Sequence, residues 1–572
     1  MRYSKLSGDI KIYVVAGTQT VLLSFDIAKS KIDGFDFLGF SIERKDKKGK
    51  TILLNGSKVF QSLLPPHFTP QQLELARKKS LVQSFFWKDY YADPGETYTY
   101  TIRAMFGTAA SFDELYSNTI KVSTEPLLSG KHSVFFNYGV TGSQGYAKNK
   151  EFGNKNLRSL TGAKLEKALN YLGRELWSEG LLAFVRQAKT KKHSLYCAFY
   201  EITYPGFLKE LKLAKTRIKN LEIVYNKLAA QNKEKTDPAL DPGNIQSLTK
   251  FGLASVSHGR SKASQPHNKF MVLCENDKPI EVWTGSTNLS MSGIFGHCNT
   301  GHWIRDKDIA EKYKKYWDLL KDNPKMKDLA DVSESIQADT DLSKLKKGTY
   351  LFFSPRDLPH ENKTTPAHLQ AYANLINKAK ELVCMIIPFN YDPVFKNIYD
   401  KDKNYLRLLL FEKPTQAKLA KSNDVDLKVT GGAILNEPLE QWVGEVSAAT
   451  SAGSRNVFYV HNKFFIIDPL GNEPVVLSGS ANFSINSIVG NDENSVLIKG
   501  DQRVADIYLT EFNRLFEHFW PRYLRAILHN NNEGFGKPLD ENYEWYVEYH
   551  DPKTYGFKRK QLFINMKGAM KG

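Results

Sequence analysis

The chain has little cysteine and no long apolar run. Its 572 residues include only Cys197, Cys274, Cys298 and Cys384, with no Cys-x-x-Cys pair. That spacing excludes a disulfide framework or a cysteine zinc site and suits a reducing compartment. No apolar stretch approaches the roughly 18–20 residues that a membrane helix needs. Residues Met1–Val21 lack the charged start, apolar block and small-residue cleavage site of a secretory signal, so a cytoplasmic location is expected. Acidic residues are also in deficit, 62 Asp and Glu against 79 Lys and Arg, for a net charge of +17. Residues 1–125 hold 17 basic against 13 acidic residues and the remainder 62 against 49, so the excess is spread along the chain. Such a balance favours an anionic partner, nucleic acid or an acidic membrane surface. No acidic or Cys/His cluster suggests a metal ligand set, and no cofactor is expected.

What is present divides into four parts. Residues 1–125 read as strands: Thr20–Phe25, Gly39–Arg44 and Thr97–Ala104 are apolar or alternating runs, split by turns such as Asp93-Pro94-Gly95-Glu96. β-branched and aromatic runs between Gly, Pro and Asp turns predict an antiparallel sandwich. From about residue 126 strand and helix patterns alternate, pause in a charged connector from Asp306 to about Lys347, and then start again. Alternation of this kind predicts α/β layers, with one half over 126–345 and a second over 346–530. Residues 531–572, with Phe557-Lys558-Arg559-Lys560, read as a solvated basic tail.

The two halves share a motif. His267-Asn268-Lys269-Phe270 recurs as His461-Asn462-Lys463-Phe464, and Gly285-Ser286-Thr287-Asn288 as Gly479-Ser480-Ala481-Asn482. Each pair lies 194 positions apart, and His267–Ile304 aligns with His461–Ile498 without a gap. Histidine can act as nucleophile or proton donor near neutral pH, and a lysine one residue away supplies charge for a phosphate oxygen. The Gly-Ser-x-Asn turn adds hydroxyl, amide and backbone donors suited to a dispersed oxyanion. One copy supplies half a phosphate cage, and two facing copies complete it around one phosphorus. The lysines of Lys209–Lys219 read as a solvated helix face, and Trp283 and Trp303 as core.

This pattern resembles the phospholipase D superfamily, whose signature is His-x-Lys-x4-Asp followed by Gly-Ser-x-Asn, usually duplicated. The second copy matches in full through His461, Lys463, Asp468, Gly479, Ser480 and Asn482, whereas the first has Cys274 where the Asp would stand. The resemblance implies two α/β domains about a pseudo-twofold with the active site between them. It also implies metal-independent phosphodiester hydrolysis through a phosphohistidine. Catalytic residues on that pattern are His267, Lys269, Asn288, His461, Lys463, Asn482 and Glu493, with Ser286, Ser480 and Asn299 on the phosphate side. Glu493 stands eleven residues past Asn482, and Asn299 at the same offset past Asn288. By resemblance Glu493 supports His267, the nucleophile, and Asn299 supports His461, the acid and base. The Asp93–Ile102 stretch resembles a fibronectin type III domain, with Tyr98 as its corner tyrosine. The expected substrate is nucleic acid, DNA foremost. A phospholipid headgroup is the alternative, and a non-catalytic module that only holds a nucleic-acid phosphate is a rival of another class.

Overall fold

The computed structural model describes residues 1–56, 58–153, 155, 157–227, 243–336, 341–356, 365–413, 424–432, 459–527, 538–568 and 570–571. The alternating runs of residues 1–125 become two facing antiparallel sheets. One carries Arg2–Lys5, Ile10–Ala16, Val21–Ile27 and Phe86–Asp89, and the other Thr51–Leu53, Phe37–Asp46, Thr97–Gly107 and Phe112–Ser123. Thr97–Gly107 shows why the pattern predicts a strand. From Thr97 to Ala104, Tyr98, Tyr100, Ile102 and Ala104 are buried while the residues between them are half-buried, the period of two of a pleated sheet. The Asp93 N–H donates to Tyr98 Oη at 2.9 Å, which ties the turn to the strand.

The two α/β halves repeat strand for strand. The first sheet runs Ser257–Arg260, Asn220–Asn226, His193–Phe199, Lys269–Glu275, Lys278–Gly285, Thr300–Ile304, His132–Phe136. The second runs Leu427–Gly431, Leu406–Phe411, Leu382–Ile387, Phe464–Ile467, Val475–Gly479, Asn491–Lys499, with Gly348–Ser354 beside the last. Gln265–Pro266, just ahead of the first motif, crosses over and pairs parallel with Asn491–Asp492. In the other half Val460 bridges Cys298 in the same way. Each motif is thereby pinned to a strand of the opposite half, which brings the two motifs together.

Two expectations change. The charged connector holds the helices Lys307–Lys321 and Met326–Ile336. Ile309, Tyr313, Tyr316, Trp317 and Leu320 bury one face of the first, so its charges mark only the solvent side of an amphipathic helix. Among its described residues, the segment read as a solvated tail is packed against the rest of the chain. Tyr546 is buried in the sandwich core beside Phe37, and the Trp545 ring lies 5.7 Å from that of Phe85. The helix Tyr555–Ile564 carries Lys558, Arg559 and Lys560 to Asp426, Glu517 and Asp26. A basic run is not solvated when each cation meets a carboxylate from a remote element. Trp283 and Trp303 are core residues beside Phe135 and Phe184, as read from the sequence. Among the described residues no helix is long and apolar enough to cross a membrane.

Candidate active site

The two motifs meet across the boundary between the halves and exchange hydrogen bonds in matched pairs. The N–H of His267 donates to the Asp492 carbonyl and that of His461 to the Cys298 carbonyl, each at 3.0 Å. Asn494 Nδ2 donates to Asn268 Oδ1 at 2.8 Å, and Asn462 Nδ2 donates to Thr300 Oγ1 at 2.7 Å. Asp492 and Cys298, and Asn494 and Thr300, are again 194 positions apart. The pseudo-twofold thus operates on the backbone and on its supporting side chains.

The supports of the two histidines differ. His267 Nδ1 lies 2.8 and 2.9 Å from the Glu493 carboxylate oxygens. His461 Nδ1 lies 2.9 Å from Asn299 Oδ1 and 3.0 Å from the Ser286 carbonyl. Glu493 accepts a further bond from Asn491 Nδ2 at 3.1 Å. Asn299 is fixed at both ends, its N–H donating to Asn137 Oδ1 at 2.8 Å and its Nδ2 to the Gly293 carbonyl at 2.7 Å. A second ionic layer stands behind the first histidine, where Arg260 donates to both oxygens of Asp492 at 2.8 and 3.0 Å.

His267, Lys269, His461 and Lys463 are all at most 5% exposed. Burial disfavours each charged form. It pushes the His267 imidazole down to about 4 even against the opposing pull of Glu493. It lowers Lys269 from 10.5 to about 7, while Glu493 and Glu201 pull upward. His461 falls well below its ordinary range through burial first and then the charge of Lys463. Lys463 is likewise pushed well down, by burial and by Lys269. Each lysine donates to the carbonyl of its own motif histidine, Lys269 at 2.6 Å and Lys463 at 2.9 Å. The Asn288 and Asn482 amide oxygens are buried with no hydrogen-bond partner among the described residues. The two asparagines stand at matched positions of the two motifs.

The two motif serines hydrogen-bond within the protein. Ser286 Oγ donates to Asn299 Oδ1 at 2.8 Å and accepts from the Thr300 N–H at 3.0 Å. Ser480 Oγ donates to the Asn494 carbonyl at 3.3 Å and accepts from the Asn494 N–H at 3.0 Å. Asn299 Oδ1 thus meets both Ser286 Oγ and His461 Nδ1. Asp468 accepts the N–H groups of Lys380, Glu381 and Leu382 at 2.8–3.1 Å, so it holds a loop. Cys274 is buried at the equivalent point of the first half, where its strand pairs Cys274 with Ser194. Four further side chains lie beside the site: Asn137, His297, Tyr200 and Phe389. His297 is 5% exposed, with its ring centre 5.7 Å from that of His461. Its self-alignment partner, Asn491, differs in type and gave no signal.

Residues 372–516, a quarter of the chain, match the family model described as "Cardiolipin synthase, PLD-like domain". A 63-residue segment is 40% identical to the mitochondrial cardiolipin hydrolases of dog and human, covering 11% of this chain and 23% of each relative. The chain thus spans about a quarter of the length of those curated relatives. Among solved structures, phosphatidylserine synthase from Haemophilus influenzae aligns at 11% identity and a TM-score of 0.42, over 68% of this chain and 93% of that one. Yeast tyrosyl-DNA phosphodiesterase aligns at 12% identity and a TM-score of 0.31, over 57% and 88%. The matched segment contains the whole second motif, with His461, Lys463, Asn482 and Glu493.

Proposed function

We propose that the chain hydrolyses phosphodiesters through a phosphohistidine, with DNA as its substrate. The observation that carries this reading is the crossed support of the histidines, a carboxylate beneath His267 and an amide beneath His461. A carboxylate only accepts, so His267 bears its proton on Nδ1 and presents an Nε2 lone pair. Its lowered pKa of about 4 keeps that lone pair available at neutral pH. Nε2 of His267 bonds to phosphorus as the bond to the leaving oxygen breaks, and His461 gives that oxygen its Nε2 proton. Glu493 stabilises the positive ring so formed. His461 then takes a proton from water, whose oxygen bonds to phosphorus as the bond to His267 breaks. Splitting one displacement into two lowers each barrier.

The acid is armed by substrate. Burial and the neighbouring lysines keep His461 neutral in the empty site, and a phosphate anion offsets those same lysines. Lys269, Lys463, Asn288 and Asn482 hold the phosphoryl oxygens. The cage supplies its own positive charge, which supports metal-independent turnover. Among the described residues no group of three His, Cys, Asp or Glu is placed to hold a metal ion.

The net charge of +17 supports nucleic acid and accords with a cytoplasmic site of action. A phospholipid headgroup is the second reading, favoured by the cardiolipin hydrolase relatives and by the name of the matching family model. The 1–125 sandwich, with the Tyr98 bond to Asp93, fits a fibronectin type III-like module that spaces or binds. The test is to assay the purified chain and His267→Ala on single- and double-stranded DNA, RNA and phosphatidylcholine vesicles, in excess EDTA and across a salt series. Nucleic-acid cleavage that survives EDTA and weakens steeply with salt is expected, because phosphate contacts release counterions. Headgroup release without nucleic-acid cleavage at low salt would replace the substrate. Phosphate-dependent nucleic-acid binding without any turnover would leave the non-catalytic module.

A further inference from the structure

Each half places one aromatic ring against its own motif. Tyr200 directly follows the strand His193–Phe199, and Phe389 lies just past the equivalent strand Leu382–Ile387. The Tyr200 ring centre is 4.8 Å from that of His267 at an interplanar angle of 64°, and that of Phe389 is 5.6 Å from His461 at 89°. Lys269 Nζ lies over Tyr200 and Lys463 Nζ over Phe389, each 5.1 Å from the ring centre. The pseudo-twofold therefore relates the two rings in space, although the residue numbers do not match the 194-residue offset. Both rings are half-buried, whereas the histidines and lysines they touch are buried. A ring that served only to fill the core would be buried like its neighbours.

Building on the phosphodiesterase reading, we propose that Tyr200 and Phe389 are specificity-determining walls of the site, each receiving a planar ring carried by one ester arm of the substrate. The chemistry that fits is a nucleobase. Every base has a flat face, and an aromatic side chain stacks on it without regard to sequence. Attack by His267 drives the leaving oxygen toward His461, so Phe389 flanks the leaving arm and Tyr200 the retained one. An acyl chain offers no such plane. The rings thus deepen the nucleic-acid reading with a feature that the net charge does not supply.

The test compares p-nitrophenyl thymidylate with methyl p-nitrophenyl phosphate, which share a leaving group and differ in whether the retained arm bears a base. The unaltered chain should favour the thymidine ester, and Tyr200→Leu should lower kcat/KM about tenfold more for that ester than for the methyl ester. In a His267→Ala background, Phe389→Leu should weaken binding of thymidylyl-thymidine, which adds a second base on the leaving arm, about tenfold more than binding of thymidine 5′-phosphate, read by calorimetry. Leucine keeps an apolar side chain at each position, so folding is preserved. Equal losses on both esters and on both anions would mean that the rings only hold the lysines and histidines, and would overturn the proposal. Hydrolysis of neither ester by the unaltered chain would instead remove the phosphodiesterase reading, and this proposal with it.

Discussion

Replacing Lys269 by methionine should stabilise the protein while destroying its activity, and the gain should depend on pH in a defined way. The Lys269 side chain is 1% exposed and its pKa is lowered from 10.5 to about 7, chiefly by burial. Between those values the unfolded chain carries a proton there that the folded chain does not. Folded stability therefore falls as pH drops from 10.5 to 7 and stays at its reduced level below. At 1.36 kcal/mol per pH unit the deficit reaches roughly 5 kcal/mol. Methionine removes the amine and keeps the length, at the loss of one hydrogen bond to the His267 carbonyl worth about 1 kcal/mol. The variant should then be more stable by about 4 kcal/mol at pH 6. The difference should shrink steadily as pH rises and vanish near pH 10. Urea unfolding at pH 6, 8 and 10, followed through the buried Trp283, Trp303 and Trp317, reads it directly. Inorganic phosphate should narrow the gap by stabilising the unaltered chain preferentially. A difference that does not change with pH, or a less stable variant at pH 6, would refute the picture of a cation held at a cost for function.

Three further outcomes follow from the site and its surroundings. Glu493→Gln keeps shape but removes the charge beneath His267, so kcat should fall about 10³–10⁴-fold with little change in KM, measured on an activated diester. The pH profile of kcat/KM should rise through about 4, where His267 loses its proton, and fall through about 7, where Lys269 loses its own; a flat profile from pH 5 to 9 would contradict those assignments. Tyr546→Ala should destabilise the sandwich by about 3 kcal/mol, because a buried ring leaves the cluster around Phe37; an unchanged melting curve would return the C-terminal segment to a loose tail.

The repeat was legible in the sequence because its two copies align without a gap from His267 to Ile304. Glu493 and Asn299 fall inside that ungapped window at one offset, and the family resemblance pointed to them as supports of His267 and His461 respectively. Tyr200 and Phe389 lie outside it, 67 and 72 positions before their motif histidines, so no common offset links them. Their relation exists only after the strands pair. The basic run Lys558–Lys560 misled for a related reason, since Asp426, Glu517 and Asp26 are brought to it by tertiary contacts. Charge likewise hid the helix Lys307–Lys321, whose apolar spacing was present and was outweighed by its lysines. The serine hydroxyls show the limit of motif chemistry. Gly-Ser-x-Asn names donors, but only the strand register shows that Ser286 and Ser480 spend theirs on Asn299 and Asn494.

The central claim is that His267 carries the phosphoryl group. It is tested by incubating the unaltered chain, His267→Ala and His461→Ala with a diester bearing a p-nitrophenolate leaving group. Each sample is then denatured without acid and the modified peptide located by mass spectrometry. Such a leaving group departs without a proton, so His461→Ala should accumulate the adduct, and fragmentation should place it on His267, while His267→Ala should show none. A phosphoryl group on His461, with His267 unmodified, would contradict the account.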